Sequence, residues 1–279
     1  MLATRILTAA VLIPLVLAAM FLLPPAGWGA VTLVLIVVAA TEWADLAGYQ
    51  GRTWWMFVGG TLLIGGNLLL SPWAAFDAGW PRGIVFAVCG LATLFWLVVA
   101  LPWLATRWKP ASALPLAIVG WIVLIGAWVA IVQLQAHSPW LALAAMAIVW
   151  IADTAAFFAG RAFGRQKLAP QVSPGKTWEG VYGGLAAVAV YALVLVPLAA
   201  DSGFAGAVSP LAVTVWVGCA VALAGLSVVG DLCESLLKRQ AGVKDSGRLL
   251  PGHGGILDRV DALLAAMPAA ALLALCYLR

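Results

Sequence analysis

Asp258 and Asp261 stand three residues apart in GILDRVD, and Asp231 and Glu234 repeat that spacing in GDLCE. On a helix a three-residue step places two side chains on one face, so each pair sets two like charges side by side. Near lipid, desolvation adds to their repulsion. A cation between them removes both penalties. With only oxygen donors and no histidine or cysteine at matching spacing, such a site favours Mg²⁺ or another hard cation over zinc. An ion pair of Asp258 with Arg259 or Lys244, purely structural, is the alternative reading of the same residues.

Basic groups lie close by in sequence. Lys238, Arg239, Lys244 and Arg248 precede the turn PGHGG, with Asp245 among them and His253, Gly254 and Gly255 in the turn itself. Cations beside carboxylates, followed by glycine-rich backbone whose amides can face an anion, are the components needed to hold a polyphosphate and a metal together. Alone, the stripe would read as a topology signal or a contact with anionic lipid heads, and His253 as a turn residue. A second polar stretch, GRAFGRQKLAPQVSPGKTWEG, contains GKT, but a P-loop requires glycine five residues before Gly175, where Pro170 stands. That leaves Ser173, Lys176 and Thr177 at a helix entry, where hydroxyl, ammonium and amide groups could bind phosphate. An ordinary helix cap, with Pro174 and Glu179 in the first turn, is the competing reading. Asp153, Glu42 and Asp45 occur singly in apolar surroundings, as helix-helix hydrogen-bond partners, proton relays or ligands.

The elements that must position these groups are membrane helices. Of 279 residues, 65% are apolar and 9% charged, far from the quarter charged of a soluble domain, and runs such as LTAAVLIPLVLAAMFLL are apolar on every face, unlike the alternating strands of a barrel. Punctuation by Pro, Gly and charge predicts an all-α polytopic bundle with about nine transmembrane helices, near 5–23, 27–48, 54–72, 83–103, 112–135, 139–160, 180–200, 209–231 and 256–278. The first apolar run exceeds a signal-peptide core and is read as a retained span. Residues 1–149 hold about five spans and the start of a sixth. Residues 150–279 form the chemically equipped region, with loops at about 161–179 and 232–255. Nine spans put thirteen Lys and Arg residues on the side of the N-terminus and only Arg82 and Arg279 on the other. This bias places the N-terminus and both polar loops in the cytoplasm. Trp28, Trp54, Trp55, Trp73, Trp80, Trp103, Trp108, Trp140 and Trp178 fall near proposed helix ends, as an interfacial belt would have them. Four cysteines without CxxC spacing suggest neither a disulfide framework nor a zinc site.

Two blocks carry a resemblance. Residues 235–261, SLLKRQAGVKDSGRLLPGHGGILDRVD, resemble the signature of the phosphatidate cytidylyltransferase family, also called CDP-diacylglycerol synthases, and residues 150–184 are similar to a second block of that family. Residues 1–149 match only in hydropathy pattern. The resemblance implies an all-helical enzyme of the bacterial inner membrane, a homodimer acting on CTP and phosphatidic acid rather than nucleic acid. It also implies a requirement for Mg²⁺, with a second cation left open. Carried over residue by residue, its metal centre falls on Asp231, Asp258 and Asp261. Phosphate binding falls to Lys and Arg of the two loops, with Lys238, Arg239 or Lys244 facing the leaving pyrophosphate. Two other classes fit the buried aspartates. An ion-coupled transporter would be expected to show half-to-half repeats, which are missing, and a CDP-alcohol phosphotransferase would carry D-G-x-x-A-R with a downstream D-x-x-x-D, absent around Asp231 and Asp258.

Overall fold

The structure, a computed structural model, describes residues 2–71, 79–110, 112–201 and 209–277; Trp73 and Arg279 lie outside them. The described residues form nine helices: α1 (Leu2–Leu22), α2 (Pro25–Leu46), α3 (Gly51–Leu70), α4 (Arg82–Thr106), α5 (Ala113–His137), α6 (Pro139–Phe163), α7 (Trp178–Asp201), α8 (Pro210–Gln240) and α9 (Leu257–Tyr277). Eight of these, α2 to α9, are long and apolar enough to cross a membrane. The protein is a polytopic membrane bundle. A π-turn at Phe95–Val99 interrupts α4, turning Trp96 so that its indole donates to Leu264 O of α9 at 2.9 Å.

At the centre stands α5, apolar all round and buried over its middle turns; Val123, Leu124, Trp128, Val129 and Val132 are inaccessible. It packs against α2, α4 and α9, while α8 joins α9 to a second layer of α6 and α7. That second layer is drawn close by small residues. Gly180 and Gly184, four apart on α7, lie against α6 so tightly that an added Cβ would stand 2.8 Å from Ala156 O and from Ala152 O respectively. Such spacing lets two backbones approach in lipid, where contact rather than hydrophobic exclusion drives association.

Three sequence expectations need revision. The eighth span does not end at 231 but runs to Gln240, because CESLLKRQ is composed of competent helix formers and nothing stops the helix before Gly242, whose φ of +75° only glycine adopts readily. The loop expected over 161–179 contains a hairpin, β1 (Lys167–Ala169) antiparallel to β2 (Ser173–Thr177), with Lys167 opposite Thr177. The tryptophan belt also divides. Trp55 and Trp140 are exposed, but Trp28, Trp80 and Trp103 are buried in the core, and the indoles of the last two donate to the carbonyls of Leu68 and Trp108.

The connections that share a predicted side do gather at one end. Thr8 of α1 bonds Pro251 O, Gln240 at the end of α8 reaches the carbonyls of Arg107 and Trp108, and Arg239 Nε donates to Val172 O in the hairpin. At the opposite end Gln135 ties α5 to Met20 O and Leu23 O, and Arg82 bonds Leu275 O.

Candidate active site

The site is built where α8 crosses α9. Gly230 makes the crossing: a Cβ there would lie 2.6 Å from Asp261 O and 2.9 Å from the Ala265 Cβ. Its neighbour Asp231 is thereby brought to Asp261, which feels the charges of both Asp231 and Glu234. From α6, Asp153 interacts electrostatically with Asp231 and with Lys176. Sequence alone left Asp153 unassigned; the fold adds it to the cluster.

Two lysines answer these carboxylates. Lys176, carried in by β2, forms an ion pair with Asp231 Oδ2, each side chain about a quarter exposed (26% and 27%), and the Ser235 hydroxyl lies 3.3 Å from Asp231 Oδ1. Lys238, one turn beyond Glu234 on α8, pairs with Glu234 and also reaches Asp258 Oδ1 at 2.7 Å. Both carboxylates in this second group are almost inaccessible, at 3% and 5%. Lys238 is thus no exposed loop cation, as the sequence suggested, but a helical residue held between two acids. The ion pair foreseen for Asp258 exists, with Lys238 in place of Arg259 or Lys244.

Asp258 has further partners. Its Oδ2 accepts the amides of Ser246 and Gly255, each at 2.9 Å, while its own amide points to Ser246 Oγ at 3.3 Å. Three donors hold Asp258, the Lys238 ammonium and the two amides, and Asp261 lies within the fields of Asp231 and Glu234. Among the described residues no three His, Cys, Asp or Glu side chains stand together at metal-ligand spacing. The chemistry of the donor set still suits a hard cation. Asp231, Asp261 and Glu234 offer oxygen alone, and Glu234 Oε1 is buried without a hydrogen-bond partner.

Glu42, from the far N-terminal region, enters the same network. Its carboxylate accepts the Ser246 hydroxyl at 2.8 Å and the amides of Ile256 and Leu257 at 2.9 and 2.7 Å. Asp45, by contrast, accepts the Trp54 indole at 2.9 Å and stays outside the site.

The remaining candidates divide by their surroundings. Thr177 caps α7, its hydroxyl accepting Gly180 N–H at 3.2 Å, so the cap reading holds for this residue, and Ser173 is half-buried in β2. Glu179 holds the hairpin entry by accepting Gln166 N–H at 3.1 Å. Lys244, Asp245 and Arg248 are exposed and make no ion pair among the described residues, and Arg239 is exposed as well. The glycine turn closes with Leu250 N–H donating to Gly254 O at 2.9 Å. Gly252 and Gly254 have φ of +75° and +83°, and His253 Nδ1 is buried without a partner. The cluster is rich in carboxylates where α8 and α9 cross, and the exposed cations Arg239, Lys244 and Arg248 follow its α8 members in the chain. Such an arrangement can bind a polyanion through cations and amides and can neutralise charge through a hard metal.

Comparison with known proteins agrees over nearly the whole chain. The profile of the cytidylyltransferase family matches residues 3–277. A phosphatidate cytidylyltransferase of Pseudomonas aeruginosa is 39% identical, the match covering 96% of this chain and 95% of the relative. One from Haemophilus influenzae is 37% identical, covering 96% of each, and one from Brucella suis is 39% identical over 81% of this chain and 76% of its own length.

Proposed function

The chain belongs to the cytidylyltransferase family, and from that premise we propose that it is a phosphatidate cytidylyltransferase, converting CTP and phosphatidic acid to CDP-diacylglycerol and pyrophosphate. One observation carries the reading: α8 and α9 bring Asp231 and Asp261 of separate segments together, and β2 adds Lys176 from a third. In the reaction an oxygen of the lipid phosphate attacks the α-phosphorus of CTP, a P–O bond forms, and the bond to the β-phosphate breaks with pyrophosphate taking the electron pair. Phosphatidate is already ionised at neutral pH, so no general base is needed. Alignment and charge neutralisation are what the protein must supply.

A bound Mg²⁺ would be held by Asp231, Asp258 and Asp261 and would supply charge neutralisation for the reacting phosphates. Lys176, a quarter exposed beside Asp231, is placed to exchange that carboxylate for a phosphate oxygen. Arg239, Lys244 and Arg248, exposed at the rim, face the leaving pyrophosphate. Amides of the Gly252–Gly255 turn and Ser173 on the hairpin bound the nucleotide side, and His253, with its unpartnered Nδ1, offers a hydrogen bond there. The charge bias of the loops supports a site open to the cytoplasm, and bacterial relatives support an inner-membrane location. Assembly as a homodimer rests on the family resemblance alone.

Purified protein given phosphatidate and, in turn, each α-labelled nucleoside triphosphate tests the reading. Label from CTP should enter the lipid phase, dependent on Mg²⁺ and phosphatidate. No CDP-diacylglycerol from CTP would overturn it.

A further inference from the structure

A helix begins with amide groups that have no partner within it, and a local Ser, Thr, Asp or Asn usually accepts from them. Before α9 the chain reads Gly254-Gly255-Ile256, with no side-chain acceptor. The acceptor arrives from α2, 215 residues away in sequence: Glu42 Oε1 takes the amide of Ile256 and Oε2 that of Leu257, while Ser246 Oγ takes that of Asp258. Glu42 is only 5% exposed and has no cation partner among the described residues. Neutral donors and the positive end of α9 stabilise its buried charge.

The surrounding backbone is shaped to this carboxylate. A Cβ at Gly247 would stand 2.6 Å from Glu42 Oε1, and one at Gly255 would collide with both the Glu42 carboxylate and the Ser246 hydroxyl. Ser246 joins Glu42 to Asp258, donating its hydroxyl to the first and its amide to the second. Every hydrogen bond of the Glu42 carboxylate thus ends on the loop or helix turn that carries Asp258.

We propose that Glu42 is a positioning residue: it sets the height and direction of the first turn of α9 and the fold of the loop over 246–256, and so places Asp258 and Asp261 for cytidylyl transfer. This rests on the reaction assigned above. Glu42 touches no substrate. It acts through the amides it holds, and it makes the N-terminal helices a part of the catalytic device.

Glu42→Gln preserves size but exchanges one acceptor oxygen for an NH₂ group that must face an amide N–H. Two measurements on the full-length protein in detergent decide the case, with CTP, Mg²⁺ and short-chain phosphatidate as reactants. Hydrogen exchange of Glu42→Gln should accelerate in residues 246–258 by about tenfold while α5 keeps its protection. Its kcat should fall about 10²-fold, with the KM for phosphatidate nearly unchanged, as expected when reacting groups shift by an ångström or so. Ser246→Ala, which removes only the bridging hydroxyl, should shift both readouts the same way by about a tenth as much. A variant that melts earlier but, once folded, retains wild-type kcat and wild-type exchange over 246–258 would overturn the proposal. If the wild-type protein makes no CDP-diacylglycerol, the assigned reaction is wrong; exchange then decides Glu42 alone, faster exchange confined to 246–258 supporting the role and unchanged exchange overturning it.

Discussion

Lys176 and Lys238 each neutralise carboxylates of one cluster, but on different terms. Lys176 comes from a hairpin strand, meets one aspartate, and leaves both partners about a quarter exposed. Lys238 belongs to the helix that bears Glu234, lies 12% exposed between two acids, and reaches an Asp258 already held by two amides. Separating a buried pair strands a charge, whereas separating an exposed one exchanges a partner for water. The same chemical pairing thus makes a clamp in one place and an exchangeable contact in the other. For the proposed reaction, this division would put the working face of the cluster on the hairpin side.

The comparison ranks substitutions by their cost in melting stability. Lys238→Met should be the most damaging, about 3–5 kcal/mol, since two nearly inaccessible carboxylates lose their cation together; thermal unfolding in detergent measures it. Gly230→Ala comes next, about 1–3 kcal/mol, because the new methyl group meets the Asp261 carbonyl and α8 and α9 must separate. Turnover should fall with it, as Asp231 moves from Asp261. Lys176→Ala should alter stability least, by under about 1 kcal/mol, while lowering turnover on the order of 10²-fold through loss of a charge at the reacting phosphates. If Lys176→Ala destabilised as much as Lys238→Met, or left turnover intact, the distinction between clamp and contact would collapse.

Much of this was legible in the chain. Nine apolar runs and a thirteen-to-two charge bias anticipate the nine helices of the described residues and the end at which the polar connections meet. The three-residue spacings marked Asp231, Glu234, Asp258 and Asp261 before any contact was known. What stayed hidden depends on how helices meet. Glu42 looked like any isolated acid because its partners lie more than 200 residues away and two are backbone amides. Lys238 reads as a loop residue in the sequence because hydropathy falls before α8 ends, yet a helix continues past the lipid as long as its residues permit. Gly230 left a faint signal, a glycine inside a long helical run directly before an aspartate, which warrants a close backbone approach. The Gly180–Gly184 spacing on α7 could have been recognised in the same way.

The overhang of α8 sets a depth for the chemistry. Its 31 residues extend about 46 Å at 1.5 Å per residue, against a hydrocarbon thickness of about 30 Å, so one continuous rod is long enough to pass from lipid tails through the headgroup zone into water. Asp231 lies nine residues below its tip and Arg239 one residue below. With the proposed site at that end of the rod, a lipid phosphate would meet the carboxylates at its own resting height, while a water-borne triphosphate would meet the cations above. Lifting a diacyl lipid out of the leaflet would cost about 0.8 kcal/mol for every methylene exposed, a sum far larger than any single interaction in this site. Under the proposed reaction, a rod of this length would spare the enzyme that extraction: the substrate would slide in sideways with its chains still dissolved, and the product would depart the same way.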